Sequence, residues 1–239
     1  MIQQTCPRCY NTKEIEGEGN GFPEYKLCPN CVKSIKQNWI KKINEKCFEY
    51  GHFTLDDFVV SKENQRGVTI CKQFAERKIP RFGLWLYSPN AGNGKTHLSI
   101  AILKHWIDTV YDPSLDDNGR TILPFGIVSE TELLLRIRAS YDGKDENERE
   151  ILDEYKEVEF LVLDDLGKTK ANDLSFLQRT MYTIIDYRYM RHMLTVVSSN
   201  MNGAELQQYL GLYTFDRLGG MSEKVTEIYG ETHRKKGKE

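Results

Sequence analysis

Eight consecutive residues carry the clearest chemistry in this chain: Pro89-Asn90-Ala91-Gly92-Asn93-Gly94-Lys95-Thr96. Glycines at 92 and 94 let backbone N–H groups turn inward around a phosphate without a Cβ in the way. The lysine that follows reaches the β- and γ-phosphates, and the threonine hydroxyl offers a ligand to Mg²⁺. A helix beginning there adds its free amides and N-terminal dipole. Asn90, Ala91, Gly92, Asn93, Gly94, Lys95, Thr96 and His97 are therefore assigned to the nucleotide, ATP. The pattern departs from G-x-x-x-x-G-K-[ST] at its first position, where Pro89 removes a donor, fixes φ and predicts a tighter entry to the loop.

A second group, Glu159-Phe160-Leu161-Val162-Leu163-Asp164-Asp165, reads as an apolar strand ending in two carboxylates. Asp164 is expected to hold Mg²⁺ through water, and Asp165 to orient or deprotonate the attacking water. At the end of a further apolar run, Leu194 to Ser198, the polar pair Ser199-Asn200 is positioned to handle that water or the γ-phosphate.

A third group lies near the N-terminus. Cys6-Pro7-Arg8-Cys9 and Cys28-Pro29-Asn30-Cys31 are two C-x-x-C pairs separated by 18 residues, the spacing of a four-cysteine zinc site. Each knuckle folds two thiolates toward one point, and two knuckles close a tetrahedron. A redox pair would need only one of them; four unrelated core cysteines are the plainer alternative. A zinc site here supplies on the order of 10 kcal/mol of apparent folding energy to a module too small for its own core. Cys47 and Cys71 read as small core residues.

The elements that must position these groups follow from periodicity. Val32, Ile35, Trp39 and Ile43 recur at helical spacing, predicting a helix through about Lys46 that packs Trp39 on the zinc module. Its lysines, Lys33, Lys36, Lys41, Lys42 and Lys46, scatter around the axis and form no single basic stripe. Beyond it a strand at Gly83–Tyr87 leads through the glycine loop into a helix from Gly94 to Tyr111. A polar loop (112–121) follows, then a strand near Phe125–Val128 and a helix near Glu130–Tyr141 opened by a capping box, Ser129 to Glu132. Gly143–Glu150 reads as a charged loop. A strand at Glu159–Leu163, a long helix near Asp173–Met190, a strand at Leu194–Ser198 and shorter elements complete the order. This alternation predicts an α/β fold with a parallel sheet between helices. The division is a zinc-binding module with its linker helix over 1–50 and an ATPase domain over 51–239.

At 239 residues, 39% hydrophobic and 28% charged, the composition is ordinary for a globular chain. A net charge of −2 gives no overall pull toward nucleic acid or anionic lipid. No apolar run approaches the roughly 20 residues of a membrane span, and the N-terminus lacks a signal-peptide pattern. A cytoplasmic protein without a membrane partner is expected, in which disulfides are disfavoured.

With these motifs in order, the chain resembles an AAA+ ATPase, and within that group the DnaC/DnaI-type loaders of replicative helicases and the related IstB-like transposition ATPases. The residues carrying the resemblance include Ile127-Val128-Ser129 with Leu133 to Tyr141, Leu161 to Gly167, Ile184 to Tyr189, Asp216-Arg217-Leu218 and Gly230 to Arg234. The resemblance covers roughly Phe53 to Arg234. It implies a domain without a C-terminal helical lid, consistent with the 39 residues that follow Asn200. It implies ATP hydrolysis with Lys95, Asp165, Asn200 and Arg217 as catalytic residues; Asp165, where many AAA+ proteins carry Glu, is one methylene shorter and predicts slow turnover. Arg217 is then an arginine finger acting on a neighbour's ATP, with Arg234 a second candidate and a salt bridge to Asp216 or Glu223 the plain alternative. It also implies self-association through the ATP site, and single-stranded DNA along the helix Glu130–Tyr141, whose apolar stripe core packing explains equally well. The expected partner is a hexameric DnaB-like helicase captured by the zinc module. An IstB-like regulator of a transposase, a small-molecule kinase and a non-enzymatic ATP-binding adaptor are the rivals.

Overall fold

The computed structural model describes residues 6, 8, 14–17, 24–47, 53–113, 123–143, 146–169, 174–222 and 225–230. Cys9, Glu223, Arg234 and most of the loop 112–121 lie outside them.

A short antiparallel hairpin, β1 (Glu14–Gly17) and β2 (Glu24–Leu27), separates the two cysteine knuckles. Pro29 then opens α1 (Pro29–Lys46), its fixed φ suited to a first helical position. The helix behaves differently from expectation. Trp39 packs against Tyr111, with ring centroids 5.5 Å apart, and Ile43 is buried in the main core. Lys36 and Lys46 donate to the carbonyls of Asp108 and Ile127 at 3.1 and 2.7 Å. The helix thus binds the following domain along its length, because its apolar stripe finds a larger surface there than the small hairpin offers.

The rest is one three-layer unit. Its elements are α2 (Gln65–Ala75), β3 (Gly83–Tyr87), α3 (Lys95–Thr109), β4 (Phe125–Ser129), α4 (Glu130–Ser140), α5 (Glu148–Glu157), β5 (Phe160–Leu166), α6 (Leu174–Met190), β6 (Leu194–Ser199), α7 (Gly203–Leu210), α8 (Leu212–Ser222) and β7 (Val225–Glu227). The sheet order is β4-β5-β6-β3-β7, with every neighbouring pair parallel. Such a sheet is covered on both faces, which is why β3 and β5 are near-continuous apolar runs. One core, with Phe74, Leu98, Ile102 and Trp106, lies beneath α2 and α3. The other, with Leu133, Ile151, Leu177 and Met221, lies beneath α4, α5, α6 and α8. This is the α/β architecture expected, and β7 is the last element described. Among the described residues no helix is long and apolar enough to cross a membrane.

Two local readings change. The end of Gly143–Glu150 is not loop: Asn147 caps α5 in a full capping box with Glu150, and Ile151 and Tyr155, one turn apart, are buried. Three apolar residues, Ile151, Leu152 and Tyr155, among seven polar ones are too sparse a stripe to stand out in sequence. Strand β5 also runs on through both carboxylates to Leu166, with a register shift between Leu163 and Leu166. At α4, Ser129 accepts from the Glu132 amide at 3.2 Å, while the Glu132 carboxylate lies 3.7 Å from Lys46.

Candidate nucleotide site and cysteine cluster

The carboxyl ends of β3, β5 and β6 converge where parallel sheets open crevices for ligands. Leaving β3, the chain turns through Gly92 (φ 86°) and Gly94 (φ 87°) into α3. Both glycines occupy the left-handed region, which a side chain would strain. At Gly94 space forbids one as well, since a Cβ would lie 2.4 Å from the Phe58 ring. Pro89, Asn90 and Ala91 are exposed at the mouth, so the missing donor of Pro89 lies ahead of the amides nearest the phosphate.

Behind the loop, Lys95 is 5% exposed, and its ammonium donates to the Asn90 carbonyl at 3.3 Å. Thr96 donates to one oxygen of Asp164 at 2.8 Å. Ser198, a residue not singled out in sequence, donates to the other, and accepts from the Asp165 amide at 2.9 Å. Burial, and then the neighbouring Asp165, push the Asp164 carboxyl above the usual carboxylate range. A desolvated anion beside a hydroxyl, with a cationic ammonium one residue away, is a cation site joined to an anion site. The Mg²⁺ assignment fits this donor set, hard oxygens all.

Asn200 donates to the Ser88 carbonyl at 2.7 Å, tying the end of β6 to the entry of the loop. Ser199 is fully buried and donates to the Leu166 carbonyl at 2.7 Å, so the hydroxyl facing the carboxylates belongs to Ser198 instead. One residue along a strand changes the face. The His97 imidazole stacks on Phe53 with centroids 4.2 Å apart and contacts the Thr54 carbonyl at 3.0 Å. Its side chain therefore serves the preceding segment, and only its backbone adjoins the loop.

That segment, Phe53 to Asn64, gives no periodic signal in sequence. Asn64 is 2% exposed; it accepts from the Ser61 amide and donates to the Val59 carbonyl, fixing the turn. Val59 and Val60 stay 64% and 51% exposed after Phe58, whose ring lies against Gly94.

Arg217, on α8, is held away from the site. It donates to Asp186 at 2.9 Å and to Asp216 at 3.2 Å, and its guanidinium lies 5.0 Å from the centre of the Tyr189 ring. The salt bridge to Asp216 read as the plain alternative is present, and Asp186 adds a second. Of the two arginines on α4, Arg136 is committed to Glu146, Glu154 and the Tyr155 hydroxyl. Arg138 instead lines a cleft of about 440 Å³ with Tyr141, Ser175, Phe176 and Arg179. Arg138 and Arg179 lie 5.5 and 5.7 Å from the centre of the Phe176 ring. Phe176 and Arg179 belong to α6, and only the fold brings them to the end of α4.

At the N-terminus, the sulfurs of Cys6, Cys28 and Cys31 lie within 4.8 Å of one another. Those of Cys6 and Cys28 are 3.8 Å apart. Tetrahedral zinc at about 2.3 Å from each thiolate puts two sulfurs ~3.8 Å apart, so the spacing suits a shared ion and exceeds a disulfide. Cys71, by contrast, is buried in the core, where burial pushes its thiol up to about 12.

No protein-family model matches the chain. Over 189 residues it is 23% identical to the replicative helicase loader DnaC of Buchnera aphidicola subsp. Baizongia pistaciae, covering 78% of this chain and 71% of that protein. It is 27% identical over 183 residues to the chromosomal replication initiator protein DnaA of Onion yellows phytoplasma, covering 73% of this chain. The chain spans about a third of that initiator (32%). Among solved structures, a DnaC helicase loader superimposes with a TM-score of 0.58 at 24% identity, over 76% of this chain and 99% of that one. A replication initiator DnaA bound to AMPPCP and single-stranded DNA gives 0.57 at 19%, over 75% of this chain and 50% of the other. The fold is shared with these DnaC and DnaA structures, and the similarity to DnaC/DnaI-type loaders expected from the motifs is borne out.

Proposed function

We propose that the chain is an ATP-dependent loader that delivers a hexameric DnaB-like helicase to single-stranded DNA at the start of replication. The observation that carries this reading is the Thr96–Asp164–Ser198 network beside two left-handed glycines, on a fold similar to helicase loaders. Backbone amides from Asn90 to His97 cradle the phosphates of ATP, Lys95 moves from the Asn90 carbonyl to the β- and γ-phosphates, and the base rests on Val59 and Val60. Thr96 and Asp164 would hold Mg²⁺, which would neutralise charge on the phosphates. Asp165 takes the proton of the attacking water, whose oxygen bonds to the γ-phosphorus as its bond to the ADP oxygen breaks. Asn200 orients that water. Arg217 leaves Asp186 to act on the ATP of a neighbouring copy, so self-association completes the site; Arg234 is the alternative finger. Turnover is slow and timer-like, as suits a loader.

Single-stranded DNA runs along the cleft between α4 and α6. Arg138 meets its phosphates there, Arg179 joins it on leaving Glu148, and Phe176 and Tyr141 stack on bases. Among the two arginines of α4, only Arg138 is available for this. Residues 1–50 form the helicase-binding module around zinc held by Cys6, Cys9, Cys28 and Cys31, and residues 51–239 the ATPase, with α1 as the stiff connection. The protein acts in the cytoplasm. An IstB-like regulator of a transposase would share the nucleotide chemistry, but the relatives named as loaders and the cysteine cluster favour the helicase.

The test exploits the division of labour. Zinc removal with a strong chelator should abolish co-migration with the cognate hexameric helicase on size exclusion, yet leave ATP turnover within about twofold, since the metal serves the module alone. Retained helicase binding in a metal-free chain, or a module that never contained zinc, would sink this assignment.

A further inference from the structure

We propose that the Gly230 carbonyl, three residues beyond β7, positions the phosphate loop through the side chain of Asn93 and thereby sets the affinity for ATP. This rests on the reading of residues 90–97 as an ATP site.

Asn93 stands between Gly92 and Gly94, both in the left-handed region. Glycine gives up more backbone freedom on ordering than any other residue, so two of them in so short a loop make it costly to fix around a phosphate. The side chain between them can meet that cost in advance. Asn93 is 3% exposed, and its amide donates to the Gly230 carbonyl at 2.6 Å, across 137 residues of sequence. The amide oxygen has no hydrogen-bond partner among the described residues, so the side chain's hold on the fold is Gly230. Its backbone amide is the group that meets ATP.

Gly230 is itself fixed. Two residues earlier, Ile228 is fully buried, and its amide donates to the Tyr87 carbonyl at 2.8 Å. Tyr87 ends β3, just ahead of the loop. The stretch 228–230 therefore holds the loop's entry at one end and its far arm at the other. Pro89, with its fixed φ, constrains the mouth between them. Gly230 has φ 128°, a conformation that a residue with a Cβ rarely adopts. A Cβ there would meet Ser61 Oγ and Asn64 Nδ2 at 3.6 and 3.7 Å, which are ordinary contacts. Conformation alone thus demands glycine, and that conformation aims the carbonyl at Asn93. A loop held in its bound form lowers the ordering cost of ATP equally in the ground and transition states, so the bond acts on KM and spares kcat.

Titration of the full chain with a fluorescent ATP analogue and Mg²⁺, together with steady-state ATP turnover, tests this. Asn93→Ala and Gly230→Ala should each raise Kd and KM roughly three- to tenfold, the range for one hydrogen bond, with kcat within about twofold of the parent. The double variant should bind no more weakly than the weaker single variant, because both changes remove the same bond. Single variants that bind as the parent does overturn the proposal. So does a double variant whose loss is the product of the two single losses, or a kcat that falls while KM stays unchanged. A parent chain that binds no analogue removes the ATP reading and the proposal with it. A parent that binds while both single variants match it sinks the proposal alone.

Discussion

Replacing Asp164 by Asn should cut ATP turnover by roughly 100-fold or more and yet leave the nucleotide-free chain more stable than the parent. The two effects share one cause. Asp164 is a half-buried, desolvated carboxylate next to a second carboxylate, with the hydroxyls of Thr96 and Ser198 as hydrogen-bond partners. Without nucleotide its charge is a cost to the fold; with Mg²⁺ the same charge becomes the ligand. Asn retains an oxygen for Thr96 or Ser198 but carries no charge for the metal. A gain of about 1 kcal/mol corresponds to ~2–4 °C in Tm for a chain of this size. The sign with pH follows. A carboxyl whose folded pKa is raised favours the folded state below its ordinary range and loses that contribution as pH rises through the folded value. The Asp164→Asn advantage should therefore be largest near neutral pH and shrink as pH falls toward the ordinary carboxylate range. Melting curves with and without Mg·ATP check both halves; an Asn variant that melts lower than the parent would contradict the account of the site.

Arg188→Met should destabilise the fold by about 3–5 kcal/mol, the range for stripping one partner from a buried charged network. Arg188 is fully buried and donates to Thr195 at 2.9 Å and to the carbonyls of Tyr155, Lys156, Val158, Glu159 and Leu194. None of these acceptors is a carboxylate. The guanidinium is compensated by carbonyl dipoles at the end of α5 and at the beginnings of β5 and β6, where the helix dipole is negative. It closes the connection that feeds the strand carrying Asp164 and Asp165. Met fills the volume but leaves those carbonyls dry and unpaired. Arg188→Lys should recover only part of the loss, because one ammonium cannot span acceptors that a planar fork reaches. Chemical denaturation measures both; a loss below about 1 kcal/mol for Met would show the network to be incidental.

Arg188 also marks where sequence reading stops. The stretch Ile184 to Tyr189 contributes to the resemblance, but nothing in one sequence says that its arginine is buried, because its acceptors lie 6 to 33 residues away. The phosphate loop was legible for the opposite reason: its glycines, lysine and threonine act within eight residues, and a local spacing encodes a local geometry. The cysteine pairs were legible likewise, and three of the four lie in the described residues as one cluster. The parallel sheet followed from the alternation of apolar strands and helices. Residues that act across elements are not legible in this way. Ser198 reaches Asp164 from the neighbouring strand, and Phe176 joins Arg138 only because the first turn of α6 lies beside the last turn of α4. The segment Phe53–Asn64 reaches the loop without any periodicity of its own. Trp39 packs on Tyr111 and not on the cysteine module, since amphipathicity names a face but not what covers it.

ATP-dependent delivery is measured most directly by the amount of cognate hexameric helicase loaded onto covalently closed single-stranded DNA circles, with no free end to thread. With this protein and ATP, helicase should appear on the circles. Lys95→Ala, which leaves the cysteine cluster untouched, should still bind helicase but load little or none. Loading that is equal without this protein, or equal with Lys95→Ala, would contradict the claim that its ATP site serves helicase delivery.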